Sequence, residues 1–258
     1  MDIKELAVSA AKRAGALLRE NLGRAGNIEF KGAVDIVTEL DKRSEALITD
    51  SIKKAFPGHG ILAEETPELA AKSPCRWIID PLDGTTNYAH GFPVFCVSIA
   101  FEEAGDVLLG VVYNPMLDEL FLAEKGRGAF LNGLPIAVSK VASLDRSLLA
   151  TGFPYDLRTS ENNNFDHFFN FSRKAQAIRR AGAAALDLSY TAAGRFDGFW
   201  EMKLKPWDVA AATLIVKEAG GTVTDFSGRT FSIEGDECLA SNGVIHGEML
   251  EVFSKKGA

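Results

Sequence analysis

The stretch WIIDPLDGTTNYAHGFP, Trp77 to Pro93, constrains the fold more than any other part of the chain. An apolar run ends in two aspartates, Asp80 and Asp83, that flank Pro81 and Leu82, and a segment of glycine and hydroxyl residues follows. A buried strand is expected up to Asp80. Two carboxylates this close repel each other unless a proton or a cation sits between them. The fold therefore has to end a core strand at a place that tolerates concentrated negative charge. Proteins that mix helices with sheets build their sites where strands stop and helices start.

The rest of the chain supplies matching elements. Ile3, Leu6, Ala10, Ala14 and Leu17 share a helical face, with Gly23 just past the expected end. KGAVDIVTELD predicts a short extended piece and then a helix, with Thr38 as N-cap and Asp41 in the capping-box position. That helix should bury Leu40, Leu47, Ile52 and Phe56 and stop at Pro57-Gly58. GILAEE and RWIID read as strands. VFCVSIAFEE, VLLGVVYN, ELFLAEK and GAFLNG form an antiparallel-looking meander, with Asn132-Gly133 as a hairpin signal. Alternation resumes with SLLATGF (strand), NNNFDHFFNFSRK (helix), GAAALDLSYTAAGRF (helix) and GFWEM (strand). DVAAATLIVKEAGG (helix), TVTDF (strand) and a helix around Val244 to Phe253 follow. With no repeats and no long linker, this order predicts stacked layers of helices and sheets.

At 258 residues, the chain suits one large domain or two intimate halves, and 47% apolar content allows a large core. The net charge of −7 argues against non-specific nucleic-acid binding. It leaves anionic substrates open, because bound cations can invert the local field. Cys75, Cys96 and Cys238 are far apart and form no CxxC, so neither a disulfide framework nor a zinc site is expected. The N-terminus carries charges throughout and does not read as a signal peptide. No apolar run approaches the roughly 20 residues that span a bilayer. A soluble, cytoplasmic protein without membrane contact is the expectation.

Several carboxylates sit at the ends of apolar runs: Glu64 and Glu65 after GILA, Asp80 and Asp83, and Asp208 in KPWDVAAA, with Asp41 from the capping position. Each has a plain explanation alone. Asp208 could simply favour a helix dipole, Asp80 a turn, and Glu64-Glu65 a solvated strand end. The packed segment DPLDGTTN changes the weighing. A set of carboxylate oxygens suits a hard cation, Mg²⁺ above all, which keeps several waters and often takes phosphate oxygens. Gly84 would let the backbone approach a ligand closely. Amides around Gly84 and Thr85 could hold a phosphate at a helix start. Other chemistries fail by pattern: there is no HExxH, no G-x-S-x-G elbow, no P-loop, and no third glycine after Gly126-Arg127-Gly128. A phosphoenzyme of the haloacid dehalogenase type wants Asp-x-Asp, and the spacing here is Asp-x-x-Asp.

At these residues the chain resembles the inositol monophosphatase family. WII followed by DPLDGTTN (Asp80 to Asn87) resembles its first signature, and PWDVAAATLIVKEAGG (Pro206 to Gly221) its second. DIVTELD (Asp35 to Asp41) and AEE (Ala63 to Glu65) resemble two further elements, with Ala63 standing where many members have glycine. The matches come in family order and cover most of the chain. The resemblance implies an α+β fold, a layered α-β-α-β-α sandwich, as a single domain over 1–258 with two intimate halves of roughly 1–145 and 146–258. It implies two to three Mg²⁺ ions. Glu64, Asp80 and the Leu82 carbonyl would hold the first, and Asp80, Asp83 and Asp208 the second. Glu64 would share a third. Thr85 and Asp41 would help activate the attacking water, and a homodimer is implied. The expected reaction is in-line attack of a metal-activated water on a phosphate monoester, inhibited by Li⁺ and without a phosphoenzyme.

The substrate is less closely defined. DGTTNY resembles the inositol 1-phosphate branch more than the nucleotide 3′-phosphatase branch. RRAGAAALDL and GFWEMKLKPWD resemble bacterial and archaeal members, some of which hydrolyse fructose 1,6-bisphosphate. Glu201 matches the family's polyol-binding acid, and Ala184 and Asp187 lie in the segment lining that pocket, with Gly84 and Thr85 on the phosphate side. Ala183 to Ala185 equally suits tight helix packing, and Lys205 reads as solvated. A different class stays open: a binding partner in a larger assembly, with catalysis secondary.

Overall fold

The computed structural model describes residues 2–23, 28–30 and 36–254, so residues 31–35 of the expected extended piece, Asp35 included, lie outside it. Helix α1 (Ile3–Asn21) starts at a capping box in which Asp2 accepts the Glu5 amide at 2.7 Å. Its buried stripe runs through Leu6, Ala10, Ala14 and Leu18; Ile3 and Leu17, expected inside, lie half-buried at its edge. Two short strands follow, β1 (Ile28–Phe30) and β2 (Ile36–Thr38), paired antiparallel. Helix α2 (Glu39–Ala55) has the expected Thr38–Asp41 capping box. It buries Leu40 and Ile52, while Leu47 and Phe56 are half-buried.

The larger sheet has seven strands in sequence order: β3 (Gly60–Ala63), β4 (Cys75–Asp83), β5 (Cys96–Glu103), β6 (Asp106–Asn114), β7 (Glu119–Glu124), β8 (Ala129–Leu131) and β9 (Leu134–Ile136). Only β3 and β4 pair parallel. The β8–β9 turn has Asn132 at φ 50° and Gly133 at φ 81°, the left-handed pair that an Asn-Gly hairpin requires. Between β4 and β5 lies α3 (Thr85–Ala89), a single turn too short for periodicity to announce.

The second sheet holds β10 (Leu148–Thr151), β11 (Ala177–Arg179), β12 (Gly198–Met202), β13 (Thr222–Thr224) and β14 (Glu237–Ser241), ordered β11-β10-β12-β14-β13. Helices α4 (Phe165–Ser172), α5 (Ala184–Ala192), α6 (Pro206–Glu218) and α7 (His246–Ser254) complete the chain. Strand β14 lies between β12 and β13 and was not legible in ECLAS, a short run among acidic and glycine residues.

Three apolar clusters define the layers. One packs α1 and α2 on one face of the seven-stranded sheet. The second fills the space between the two sheets with the alanine-rich α5 and α6. The third packs α4 and α7 on the outer face of the five-stranded sheet, around Trp200 and Phe171, whose rings stack 4.1 Å apart. The result is the α-β-α-β-α order of an α+β sandwich. Among the described residues no helix is long and apolar enough to cross a membrane.

Candidate active site

The β4–β5 ladder pairs Asp80 with Ser98 and Asp83 with Cys96, so three steps along β4 match two along β5. This is a bulge at Pro81-Leu82. Side chains alternate along a strand, and residues three apart would normally face opposite ways. One extra residue resets the alternation, and Asp80 and Asp83 both line one cleft of about 560 Å³. Pro81, with no N–H to donate, suits the unpaired position. Asp80 Oδ1 accepts the Leu82 amide at 2.9 Å. Asp83 accepts the amides of Ala184 (3.2 Å) and Ala185 (2.7 Å), so it also holds the start of α5.

Glu64, just past β3, and Asp208, at the start of α6, line the same cleft. Asp208 Oδ2 accepts the Lys205 amide at 2.7 Å as a capping residue, and its carboxyl also feels the charge of Asp83. Burial raises the pKa of Asp80 well above the ordinary value, and the charges of Glu64, Asp83 and Asp208 push in the same direction. Asp83 and Asp208 are raised too, by burial first. The cleft thus concentrates negative charge that a proton or a cation relieves.

The donor set fits a divalent ion: carboxylate oxygens from three separate elements, with the Leu82 carbonyl beside them. Among the described residues no three Asp, Glu, His or Cys side chains converge closely enough to hold a metal ion by themselves, so an ion here would draw part of its shell from water and substrate. An open arrangement of oxygens is what Mg²⁺ accepts, because it retains waters and borrows phosphate oxygens.

Thr85 Oγ1 lies 2.9 Å from Asp41 Oδ1 and 3.0 Å from the Leu82 carbonyl, and its single proton serves one of them at a time. Thr38 donates to Asp41 Oδ2 through its amide at 2.8 Å and its hydroxyl at 2.5 Å. Asp41 is fully buried, and burial raises its pKa although these bonds oppose the shift. Gly84, at φ 96°, caps α3; a Cβ there would meet the Val94 carbonyl at 2.9 Å, so only glycine allows this approach.

Ala184 and Glu201 line the cleft as well. Burial, Asp208 and Asp83 push the Glu201 carboxyl up to about 8. Asp187 does not line the cleft. It is buried one turn into α5, its Oδ1 has no hydrogen-bond partner among the described residues, and burial and the Glu201 charge raise its pKa. Gly152, Arg180 and Lys203 are among the lining residues that the sequence does not single out. Gly152 abuts Glu201 so closely that a Cβ would overlap the carboxylate. Arg180 is exposed at the rim, and Lys203 pairs with Asp156 at 2.7 Å. Nothing local in TGF or RRAG marks the first two; they matter only through the partner the fold brings near.

The layered α+β fold sets an acid-walled cleft at strand and helix ends, and comparison with known proteins specifies its class. The family model for the inositol monophosphatase family matches residues 2–258. An inositol-1-monophosphatase from Synechocystis is 46% identical over 97% of this chain and 88% of its own length. A fructose-1,6-bisphosphatase/inositol-1-monophosphatase from Thermotoga maritima is 42% identical over 99% and 97%. The Escherichia coli Nus factor SuhB is 46% identical over 86% and 85%. Among solved structures, the inositol monophosphatase from Anabaena superposes with a TM-score of 0.89 at 43% identity, covering 97% and 94%. The chain belongs to the inositol monophosphatase family and is an enzyme of the inositol-1-monophosphatase type.

Proposed function

We propose that this protein is a Mg²⁺-dependent phosphatase that hydrolyses inositol 1-phosphate or a related polyol phosphate. The observation that carries the reading is the meeting of Glu64, Asp80, Asp83 and Asp208 in one cleft that Thr85 and Glu201 also line, with Asp41 bonded to Thr85. Two to three ions would be held by Glu64, Asp80, Asp83, Asp208 and the Leu82 carbonyl. When bound, Mg²⁺ lowers the pKa of a water and stabilises the leaving alkoxide. The chain's own groups do the rest. Thr85 Oγ1 donates to Asp41 Oδ1 and presents a lone pair to the attacking water. Asp41, its pKa raised by burial, takes up the proton relayed through that hydroxyl. Water oxygen forms the new bond to phosphorus in line with the ester bond that breaks. The Gly84 turn brings backbone amides close to the phosphate. Glu201 and Ala184 face the polyol. Sensitivity to Li⁺ and a homodimeric state belong to the same proposal.

A second substrate reading has its own observation. Arg180 and Lys205 line the cleft, are exposed, and stand in no ion pair among the described residues. Arg180, whose charge acts on Glu201, and Lys205, whose amide donates to Asp208, put two exposed cations in the cleft lining; they support a substrate with a second phosphate, such as fructose 1,6-bisphosphate, and the Thermotoga relative is named for both activities. A role as an assembly partner draws support from the relative named Nus factor SuhB. A phosphate-release screen with Mg²⁺ over inositol 1-phosphate, fructose 1,6-bisphosphate, histidinol phosphate and adenosine 3′,5′-bisphosphate tests these readings together. Release from the first, alone or with the second, is expected; release from none would favour the assembly role.

A further inference from the structure

Helix α2 packs against β4 with three almost fully buried polar side chains, Asp41, Ser44 and Glu45. Residues spaced three and four apart share one helical face. A buried polar stripe opposes folding unless its members are paired, and here each reaches a different segment of the cleft. Asp41 accepts from Thr85 at 2.9 Å. Ser44 Oγ donates to the Pro81 carbonyl, inside the Asp80–Asp83 bulge, at 2.8 Å. Glu45 Oε2 accepts the Glu65 amide at 2.8 Å. The ladder between β3 and β4 ends at Ala63↔Ile79, so this last bond grips the chain beyond the sheet, next to Glu64. The other Glu45 oxygen is buried with no hydrogen-bond partner among the described residues. Such an oxygen costs folding stability, and local rules are broken in this way mostly where function requires it.

We propose that Glu45 is a positioning residue: by holding the Glu65 amide it fixes the backbone beside Glu64 and keeps the Glu64 carboxylate in the acidic cleft. The inference rests on the Mg²⁺ reading of that cleft. Ser44 and Asp41 index the neighbouring segments from the same helix, so α2 aligns three parts of the site at once.

The test is calorimetric titration with Mg²⁺ of the full chain and of Glu45→Gln, Glu45→Met, Glu64→Gln and the Glu64→Gln/Glu45→Met double variant. Gln keeps an acceptor for the Glu65 amide, whereas Met keeps the length and removes it. Glu45→Met is expected to weaken Mg²⁺ binding by about ten- to a hundredfold. Glu45→Gln should stay within about threefold, and Met should add no loss once Glu64 is neutralised. Unchanged affinity in a folded Glu45→Met overturns the inference, as does a Gln loss equal to the Met loss or an additive double variant. An unmodified protein that binds no Mg²⁺ overturns the metal reading and the inference with it. Amide exchange at Glu65 requires no variant. Protection is expected in the unmodified chain, and exchange at the rate of an open loop overturns the proposal even where the Met variant does not fold.

Discussion

Gly152→Ala moves Glu201 without altering it. Gly152 follows β10 directly, and a Cβ there would overlap both carboxylate oxygens and Cδ of Glu201. The backbone of Glu201 is held by pairing with Cys238, so the flexible end of the side chain has to yield. Regaining ordinary carbon–oxygen separation takes a shift of about 1 Å or more. That exceeds the tolerance of a hydrogen bond. In assays above pH 8, where the Glu201 carboxyl is ionised, a charge-assisted bond that it accepts from a substrate hydroxyl contributes about 1.5–3 kcal/mol. Its loss lowers kcat/KM for inositol 1-phosphate by roughly ten- to more than a hundredfold. An aryl phosphate has no such hydroxyls and should be hydrolysed nearly as before. The assay compares the two substrates in wild type, Gly152→Ala, Glu201→Ala and the double variant. The double variant should be no worse than Glu201→Ala, because both changes remove one contact. Equal losses on both substrates would mean that Glu201 supports the metal site. No loss on either would make it a bystander and refute the argument.

Three further outcomes are expected. Asp83→Asn should remove nearly all turnover yet fold, because asparagine keeps one of the two oxygens that accept the Ala184 and Ala185 amides; wild-type kcat in this variant would contradict the reading. In chelator, the Glu201 carboxyl, raised from 4.5 to about 8, contributes stability below pH 4.5 that is lost as pH rises through 8. The Tm of Glu201→Gln minus that of wild type should therefore climb across this window, and a constant difference would remove the basis for the shift. Acid-quench trapping with labelled substrate should recover no phosphoenzyme; a stoichiometric phosphoryl group on Asp80 would restore the haloacid-dehalogenase-like alternative.

Much of the site was legible because its chemistry is local. Asp80 and Asp83 lie within four residues, and Thr38 and Asp41 form a capping box that doubles as the support for Thr85. What sequence could not convey was contact across the fold. Ser44 and Glu45 sit at positions where a surface helix would also carry polar residues, and only the packing of α2 on β4 turns them inward. Gly152 resembles any strand-end glycine until Glu201 is placed beside it. Asp187 falls within a segment that contributes to the cleft through Ala184, but helical rotation turns its carboxyl into the core. The same limit hid β14: a strand made central by its neighbours needs no strong signal of its own.

The central claim is that the acidic cleft is a Mg²⁺ site serving phosphate ester hydrolysis. Phosphate release from inositol 1-phosphate, measured on the metal-stripped protein, after Mg²⁺ is restored and again in excess chelator, tests it most directly. The account predicts no release from the stripped protein, turnover on adding Mg²⁺, and its loss on chelation. Undiminished release in chelator would contradict it.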